Sequence, residues 1–550
     1  MQNKVLQLDG KDNVLIALSD LSRGQQIPFG GRNFTLLSSV PAKHKFATED
    51  IGIGDEITMY GLLVGRAVRP IARGERLSPS NVEHDANAFV DPTGEYRWVP
   101  PDVSRWKQRK FAGYRRSDGQ VGTRNHWLVV PLVFCENRNI DVLKRAFEDE
   151  LGFAAPQVYR RQVAELAQLY REGHPAEAIP TRMFDGNGSG TPASRVFQNI
   201  DGIKFLPHGG GCGGTREDSN NLCGLIAGYI NHPNVAGATV LSLGCQHAQT
   251  GILREEIQKR NPNFDKPLVI LEQQRSGSEF AMLSDAIRRT FVGLMEANKV
   301  KREPAMLSQL CLGLKCGGSD GFSGVSANPA VGHTADLLIA LGGRAILSEF
   351  PELCGVEQEL MNRSARREVA ERFARLMQAY QARAKAVGSG FEMNPSPGNI
   401  RDGLLTDAMK SAGAAKKGGK SPVTAVLDYP EYSTVAGLNL QCTPGNDVEC
   451  VTAQVGAGAN VVLFTTGLGT PTGNPIAPVV KIASNSILAD RMSDIIDIDA
   501  GKVVTGETTI EHMGEGILEQ VISFASGETR TKAELNGQND FIPWKRGVSL

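Results

Sequence analysis

The chain has 550 residues, enough for three or four domain-sized units, and its 41% apolar content is ample for sizeable cores. Its 59 basic and 60 acidic residues leave a formal net charge of -1, and no long basic stripe occurs, which argues against nucleic acid or an acidic membrane surface as partner. No run approaches the ~18 consecutive apolar residues of a membrane span, and the amino terminus lacks an apolar signal core, so a cytoplasmic protein is expected. Nine cysteines spread this thinly do not form a secreted disulfide framework, and without a Cys-x-x-Cys pair a zinc ribbon is not expected.

Residues 1–85 read as a small β-rich unit. An apolar run at 14–18 is followed by short segments broken at Ser22-Arg23-Gly24, Phe29-Gly30-Gly31 and Ile53-Gly54-Asp55. Within it, His44 stands between Lys43 and Lys45, a pattern suited to an imidazole that binds metal or moves a proton beside cations that attract a carboxylate. Residues 86–110 are expected to be a linker, stiffened by Pro100-Pro101.

From 111 to 399 strand-like and helix-like segments alternate, which predicts an α/β domain with a mainly parallel sheet. Strands are expected near 127–133, 203–206, 235–243 and 266–271, and helices near 141–151, 219–231 and 276–292. Cys212 and Cys245 fall in glycine-rich loops just after two of these strands. The run from Leu314 to Pro329 contains Cys316-Gly317-Gly318-Ser319-Asp320 and Asn328 in a glycine-dense setting, where backbone N–H groups can approach a ligand closely. Glu349 ends another strand-like segment. Residues 356–386 form an amphipathic helical region, and 410–420, rich in Gly, Ala and Lys, read as a linker or surface loop.

Residues 400–550 are expected to form a second α/β unit. A buried strand at 460–466 runs into Thr466-Gly467-Leu468-Gly469-Thr470, a loop that lacks the Gly-Lys-Ser/Thr closure of a P-loop but can offer backbone N–H groups to an anion or polyol. Lys481 lies among apolar neighbours. In open α/β sheets ligands bind outside the strand carboxyl ends, so Cys212, Cys245 and Cys316 are expected to converge there.

These stretches together resemble the altronate dehydratase / galactarate dehydratase family. The likeness is carried by Leu21-Ser22-Arg23-Gly24-Gln25 and Ile71-Ala72-Arg73-Gly74-Glu75, similar to turns of SAF-type β-clip domains, by Lys43-His44-Lys45, and by Gly113-Tyr114-Arg115 through Asn125. Cys316 to Asp320, Ala327-Asn328-Pro329-Ala330, Asn394 to Asn399 and Thr465 to Gly473 complete it. Lys43 to Ala47 and Cys135 to Asn139 look closer to the altronate branch.

The resemblance implies an α/β protein with an N-terminal SAF-like domain and two α/β units. It also implies a hydro-lyase of hexuronate catabolism that takes D-altronate to 2-dehydro-3-deoxy-D-gluconate with Fe²⁺ or Mn²⁺. The chemistry needs a base for the C2 proton, an acid for the departing C3 hydroxide and a cation for the enediolate-like charge. Candidates are His44, Lys45, Glu349 and Lys481 for proton transfer. Arg124, Asn125, Ser319, Asp320, Asn328, Thr466 and Thr470 are candidates for substrate contacts, and His44, Cys212, Cys245 and Cys316 for metal. The three glycine-flanked cysteines also permit an iron–sulfur cluster with one open iron. Galactarate or a sulfolactate-type acid is the alternative substrate. A sugar-acid binding module is the alternative outside enzymes, disfavoured by the reactive side chains at several strand ends. A homodimer, the commonest assembly, is expected.

Overall fold

The computed structural model describes residues 4–92, 94–154, 158–176 and 194–549. The N-terminal unit is built from short antiparallel strands. β1 (Val5–Leu6), β2 (Val14–Ala17) and β5 (Lys45–Ala47) form one sheet, β3 (Gln26–Phe29) and β4 (Arg32–Thr35) a hairpin, and β6 (Glu56–Met59), β7 (Leu62–Ala67) and β8 (Val82–Glu83) another sheet. Leu15, Ile27, Phe34, Val40 and Phe46 close a core of their own. This is the β-rich unit expected over 1–85.

An extended stretch leads to β9 (Lys110–Arg115), which pairs with β10 (Val121–Gly122) and β15 (Arg302–Met306). The central sheet comprises β11 (His126–Pro131), β12 (Gly202–Phe205), β13 (Val235–Ser242) and β14 (Leu268–Glu272), all parallel, in the order β12-β11-β13-β14. Its strands are near-continuous apolar runs, as expected for strands covered on both faces.

The C-terminal sheet has seven strands: β16 (Cys311–Cys316), β17 (Arg344–Leu347), β18 (Val423–Leu427), β19 (Gly437–Gln441), β20 (Val461–Thr466), β21 (Val479–Ala483) and β22 (Ile498–Asp499). All pair in parallel, in the order β18-β19-β17-β16-β20-β21-β22. The boundary expected between 399 and 400 is therefore wrong: β16 and β17 share a sheet with strands more than 70 residues further on, because residues 350–420 fold as a helical excursion between β17 and β18. Within that excursion, 407–418 is a helix (Asp407–Ala414) and a 3₁₀ turn rather than the surface loop its Gly/Ala/Lys composition suggests.

Alternation along β20 shows how the layers stack. Val461 and Leu463 face helices Ala327–Ala340 and Ile510–Ser526, whereas Val462 and Phe464 face a core shared with helices Arg216–Asn231 and Asp447–Gly456 and with Leu128 and Val130 of β11. Those two helices thus lie between the sheets and tie the central and C-terminal units together. In the C-terminal sheet the chain winds from β16 towards β18 on one side and from β20 to β22 on the other. Its switch point lies between β16 and β20, and the crevice outside their carboxyl ends is where an open α/β sheet receives its ligand. Among the described residues no helix is long and apolar enough to cross a membrane.

Candidate active site

At that crevice the chain assembles a buried cluster of one thiol, two carboxylates and three ammonium groups. Cys316 ends β16, and its Sγ lies 3.3 Å from Glu352 Oε2 and 3.8 Å from Glu349 Oε2. Among the described residues these three form the single set of His, Cys, Asp or Glu side chains whose donor atoms all fall within 4.8 Å of one another. Glu349 follows β17 with φ +67° and ψ +58°, a left-handed conformation that is costly for a residue with a Cβ and is retained where surrounding contacts demand it. Those contacts are visible. Glu349 pairs with Lys315 through Oε1, Oε2 accepts from Lys417 Nζ at 3.1 Å and from Cys316 N at 3.2 Å, and its own N–H donates to Thr443 Oγ1 at 3.0 Å.

The lysines complete the network. Lys417 Nζ approaches Cys316 Sγ to 2.6 Å, Lys410 Nζ sits 2.9 Å from Glu352 Oε1, and Lys315 Nζ reaches Asp447 Oδ1 at 3.0 Å. Burial, reinforced by the Glu349 carboxylate, pushes the Cys316 thiol up to about 12 against the pull of Lys417. Burial also works against ionising Glu352, but Lys410, Lys315 and Lys417 outweigh it and hold its carboxyl below the ordinary range. Burial likewise opposes charge on Lys417, yet Cys316, Glu349 and Glu352 raise its pKa. Near neutral pH the thiol is therefore protonated, Glu352 is ionised and the lysines are ammonium groups. Removing one member would leave a buried charge unpaired, which typically costs about 3–5 kcal/mol.

The loop after Cys316 packs into the loop after β20. Gly467 N and Leu468 N donate to Gly318 O at 3.0 and 2.9 Å, and Thr466 and Thr470 hydroxyls flank Gly318. Gly317 is required by close approach, since a Cβ there would lie 2.5 Å from Asp447 Oδ1. Beyond it, Ser319 Oγ is buried and has no hydrogen-bond partner among the described residues, while its carbonyl accepts from Asn399 Nδ2 at 2.7 Å. A buried hydroxyl without a partner carries an uncompensated desolvation cost.

Asp320 is the hub that docks the N-terminal unit. Its Oδ1 accepts from Ser484 Oγ at 2.7 Å and Ser323 Oγ at 2.9 Å, and its Oδ2 accepts from Asn485 Nδ2 at 3.0 Å and pairs with Lys43 at 3.0 Å. Lys43 also pairs with Asp402 at 2.9 Å. Lys45 is fully buried and donates to Gly403 O at 2.6 Å; burial brings its ammonium down to about 7, with Asp320 opposing. His44 Nε2 donates to Arg401 O at 2.9 Å, so Nδ1 carries the free lone pair, and burial lowers its pKa below the usual imidazole value.

Of the expected site residues, Cys316, Glu349, Ser319, Thr466 and Thr470 therefore meet at one crevice, and His44, Lys45 and Asp320 adjoin it through the 43–45 segment. Several others are engaged elsewhere. Arg124 makes a two-pronged pair with Glu534 (2.7 and 2.9 Å) and donates to Thr123 O and Phe524 O. Asn125 is spent on Arg116, Asn199 and Ala297. Both precede β11, at the end of a parallel strand opposite its ligand edge, and their side-chain hydrogen bonds hold units together. Asn328 clasps Gly413 O and Thr465 Oγ1. Lys481 donates to the Thr472 carbonyl and lies 5.0 Å over the Phe464 ring. The expected metal set also changes. Cys212 and Cys245 lie at the central sheet, and His44 is held on Arg401, so only Cys316 of the four enters the cluster. Glu352, Lys315, Lys410, Lys417 and Asp447 were not expected.

Three family models cover nearly the whole chain: the altronate/galactarate dehydratase SAF domain over 3–85, the second domain of D-galactarate dehydratase/altronate hydrolase over 113–298, and the D-galactarate/altronate dehydratase C-terminal domain over 307–549. The chain is 32% identical over 552 residues to altronate dehydratase of Escherichia coli (strain K12), covering 99% of both chains. The chain belongs to the altronate/galactarate dehydratase family. Altronate dehydratase of Bacillus subtilis (strain 168) is 32% identical, again over 99% of both chains, and galactarate dehydratase (L-threo-forming) of E. coli K12 is 31% identical over 96% of this chain and 93% of its own. Membership makes this protein a carbon–oxygen hydro-lyase. The last model begins at 307, just before β16, which agrees with a C-terminal unit built on the whole seven-stranded sheet.

Proposed function

We propose that the protein dehydrates D-altronate to 2-dehydro-3-deoxy-D-gluconate with the help of a divalent cation, Fe²⁺ or Mn²⁺. The observation that carries this reading is the end-to-end match to two altronate dehydratases at 32% identity. A thiol and two carboxylates whose donor atoms lie within 4.8 Å of one another fit a first-row divalent ion. When bound, such an ion would polarise the substrate's carboxylate and hydroxyl and stabilise enediolate-like charge.

The chain's own groups supply the rest. The free Nδ1 of His44 is basic enough, yet unprotonated near neutrality, to take the C2 proton. The ammonium groups of Lys410 and Lys417 hold protons beside the carboxylates and favour negative charge in the crevice. Ser319, Thr466 and Thr470 offer hydroxyls to a polyol chain. Lys43 and Lys45, on the segment anchored by Asp320, keep the base in register.

The test is to purify the protein anaerobically, add Fe²⁺ or Mn²⁺ or a chelator, and assay D-altronate and D-galactarate for a 2-keto-3-deoxy acid. Cation-dependent product from D-altronate is expected. Faster turnover of D-galactarate would replace the substrate assignment, a reading favoured by the 31% match to galactarate dehydratase. Full turnover in chelator would remove the cation.

A further inference from the structure

The central sheet has a ligand edge of its own, and three thiols stand on it. β12, β11 and β13 are adjacent and parallel, so their carboxyl ends lie side by side, the outer two roughly 10 Å apart at the usual strand spacing. Cys135 lies in the single 3₁₀ turn after β11, Cys212 in the glycine loop after β12, and Cys245 in the loop after β13. The loops touch one another. Phe134 N donates to Gly210 O at 3.0 Å, and Ala248 N donates to Gly211 O at 3.0 Å. Gly211, with φ +100°, packs so tightly on the first loop that a Cβ would lie 2.3 Å from Leu132 O. Cys212 is thereby held between the loops that carry Cys135 and Cys245.

Cys135 and Cys245 are exposed and Cys212, like Cys354, is half-buried, while Cys223, Cys311, Cys316, Cys442 and Cys450 are buried. None of the three is in a disulfide. Their sulfurs are also too far apart to grip a single ion, since the one set of donors within 4.8 Å among the described residues is Cys316, Glu349 and Glu352. Neighbouring thiols on touching loops, too widely spaced for one ion, suit a polynuclear iron–sulfur centre, whose irons each take one thiolate. Cys212 opens onto a cavity of about 490 Å³, also lined by His208, Asp218, Ser219, Glu449 and Lys545.

We infer that Cys135, Cys212 and Cys245 ligate a four-iron, four-sulfide cluster whose fourth iron has no cysteine and faces this cavity, open to an oxygen donor. The third ligand is Cys135 rather than Cys316, whose thiol belongs to the other sheet. The inference rests on the central sheet alone and stands whether or not D-altronate is the substrate.

The experiment reconstitutes the full-length protein anaerobically with ferrous iron and sulfide, followed by desalting. Expected are about four iron and four sulfide per chain, a broad absorbance near 400 nm and an electron paramagnetic resonance signal after reduction. C135A, C212A and C245A should each lose most of the iron and sulfide, while C316A keeps them. Because the three positions are exposed or half-buried, thermal unfolding of the apo variants should match that of the apo parent, which separates ligand loss from misfolding. A triple variant that retains the cluster, loss confined to C316A, or a parent that takes up no sulfide would each overturn the assignment.

Discussion

Two parallel sheets in this protein end in the same way and are furnished in opposite ways. At the carboxyl edge of the C-terminal sheet a buried thiol is surrounded by paired charge: Glu349, Glu352, Lys315, Lys410 and Lys417 pair at 2.9–3.1 Å or closer. At the carboxyl edge of the central sheet three thiols stand on neighbouring loops, two of them exposed and one half-buried. The difference teaches that a cysteine at the carboxyl end of a strand does not by itself tell what chemistry gathers around it. A hard, preorganised charge network suits an oxyanion and its protons, whereas soft unpaired sulfur suits iron.

The sharpest way to break the comparison is Glu349→Gln. It removes the anion that Lys315 and Lys417 share while keeping the side chain's shape. The C-terminal unit should lose roughly 3–5 kcal/mol, and turnover should fall by about 100-fold or more. No cysteine of the central sheet should give a comparable stability loss when changed to Ala. Differential scanning calorimetry on the purified variants decides this, and equal losses at both edges would erase the contrast drawn here.

Part of this contrast was legible in the sequence. A run of apolar residues followed by glycine is local information, so the strands near 127–133, 203–206, 235–243 and 460–466 and the loops bearing Cys212, Cys245, Cys316 and Thr466 could be read directly. The charge network could not. Lys417 meets Cys316 across 101 residues of chain and Lys315 meets Glu349 across 34, and no spacing rule links such positions. The Gly/Ala/Lys composition of 410–420 is the same for a solvated loop and for a buried turn that delivers two ammonium groups. Arg124 and Asn125 could not be placed from the sequence, because polar residues beside a strand look alike at either end of it, and only topology separates a ligand edge from a clamp.

A second test concerns pH and the docking of the N-terminal unit. Lys45 has a folded-state pKa near 7 and an unfolded value of 10.5. Between these the unfolded chain carries a proton that the folded chain lacks, so stability rises with pH across that window by up to about 1.4 kcal/mol per unit. Below pH 7 the cost of burying the charge is felt in full. Lys45→Met should be flat where the parent rises, so the parent-minus-variant difference in unfolding free energy should climb between pH 7 and 9. A difference independent of pH would mean that Lys45 stays charged when folded.

A smaller effect sharpens the metal reading. Lys417 occupies the lone pairs that an ion on Cys316 and Glu349 would need. Lys417→Met should therefore tighten Mn²⁺ binding about tenfold by calorimetric titration, roughly 1.4 kcal/mol. Unchanged or weaker binding would leave the cluster as a proton and ion-pair device without a cation.

The smallest change should be Ser319→Ala, and its value lies in separating two measurements. A buried hydroxyl with no partner contributes little to stability and carries a desolvation cost, so its loss should shift the unfolding free energy by less than about 0.5 kcal/mol in either direction. If Ser319 Oγ instead bonds a substrate hydroxyl, the same change should raise KM several-fold while kcat stays within about twofold, since uniform binding is removed without touching the proton-transfer groups. A stability loss of 1–2 kcal/mol with KM unchanged would show that the hydroxyl serves the fold rather than the substrate.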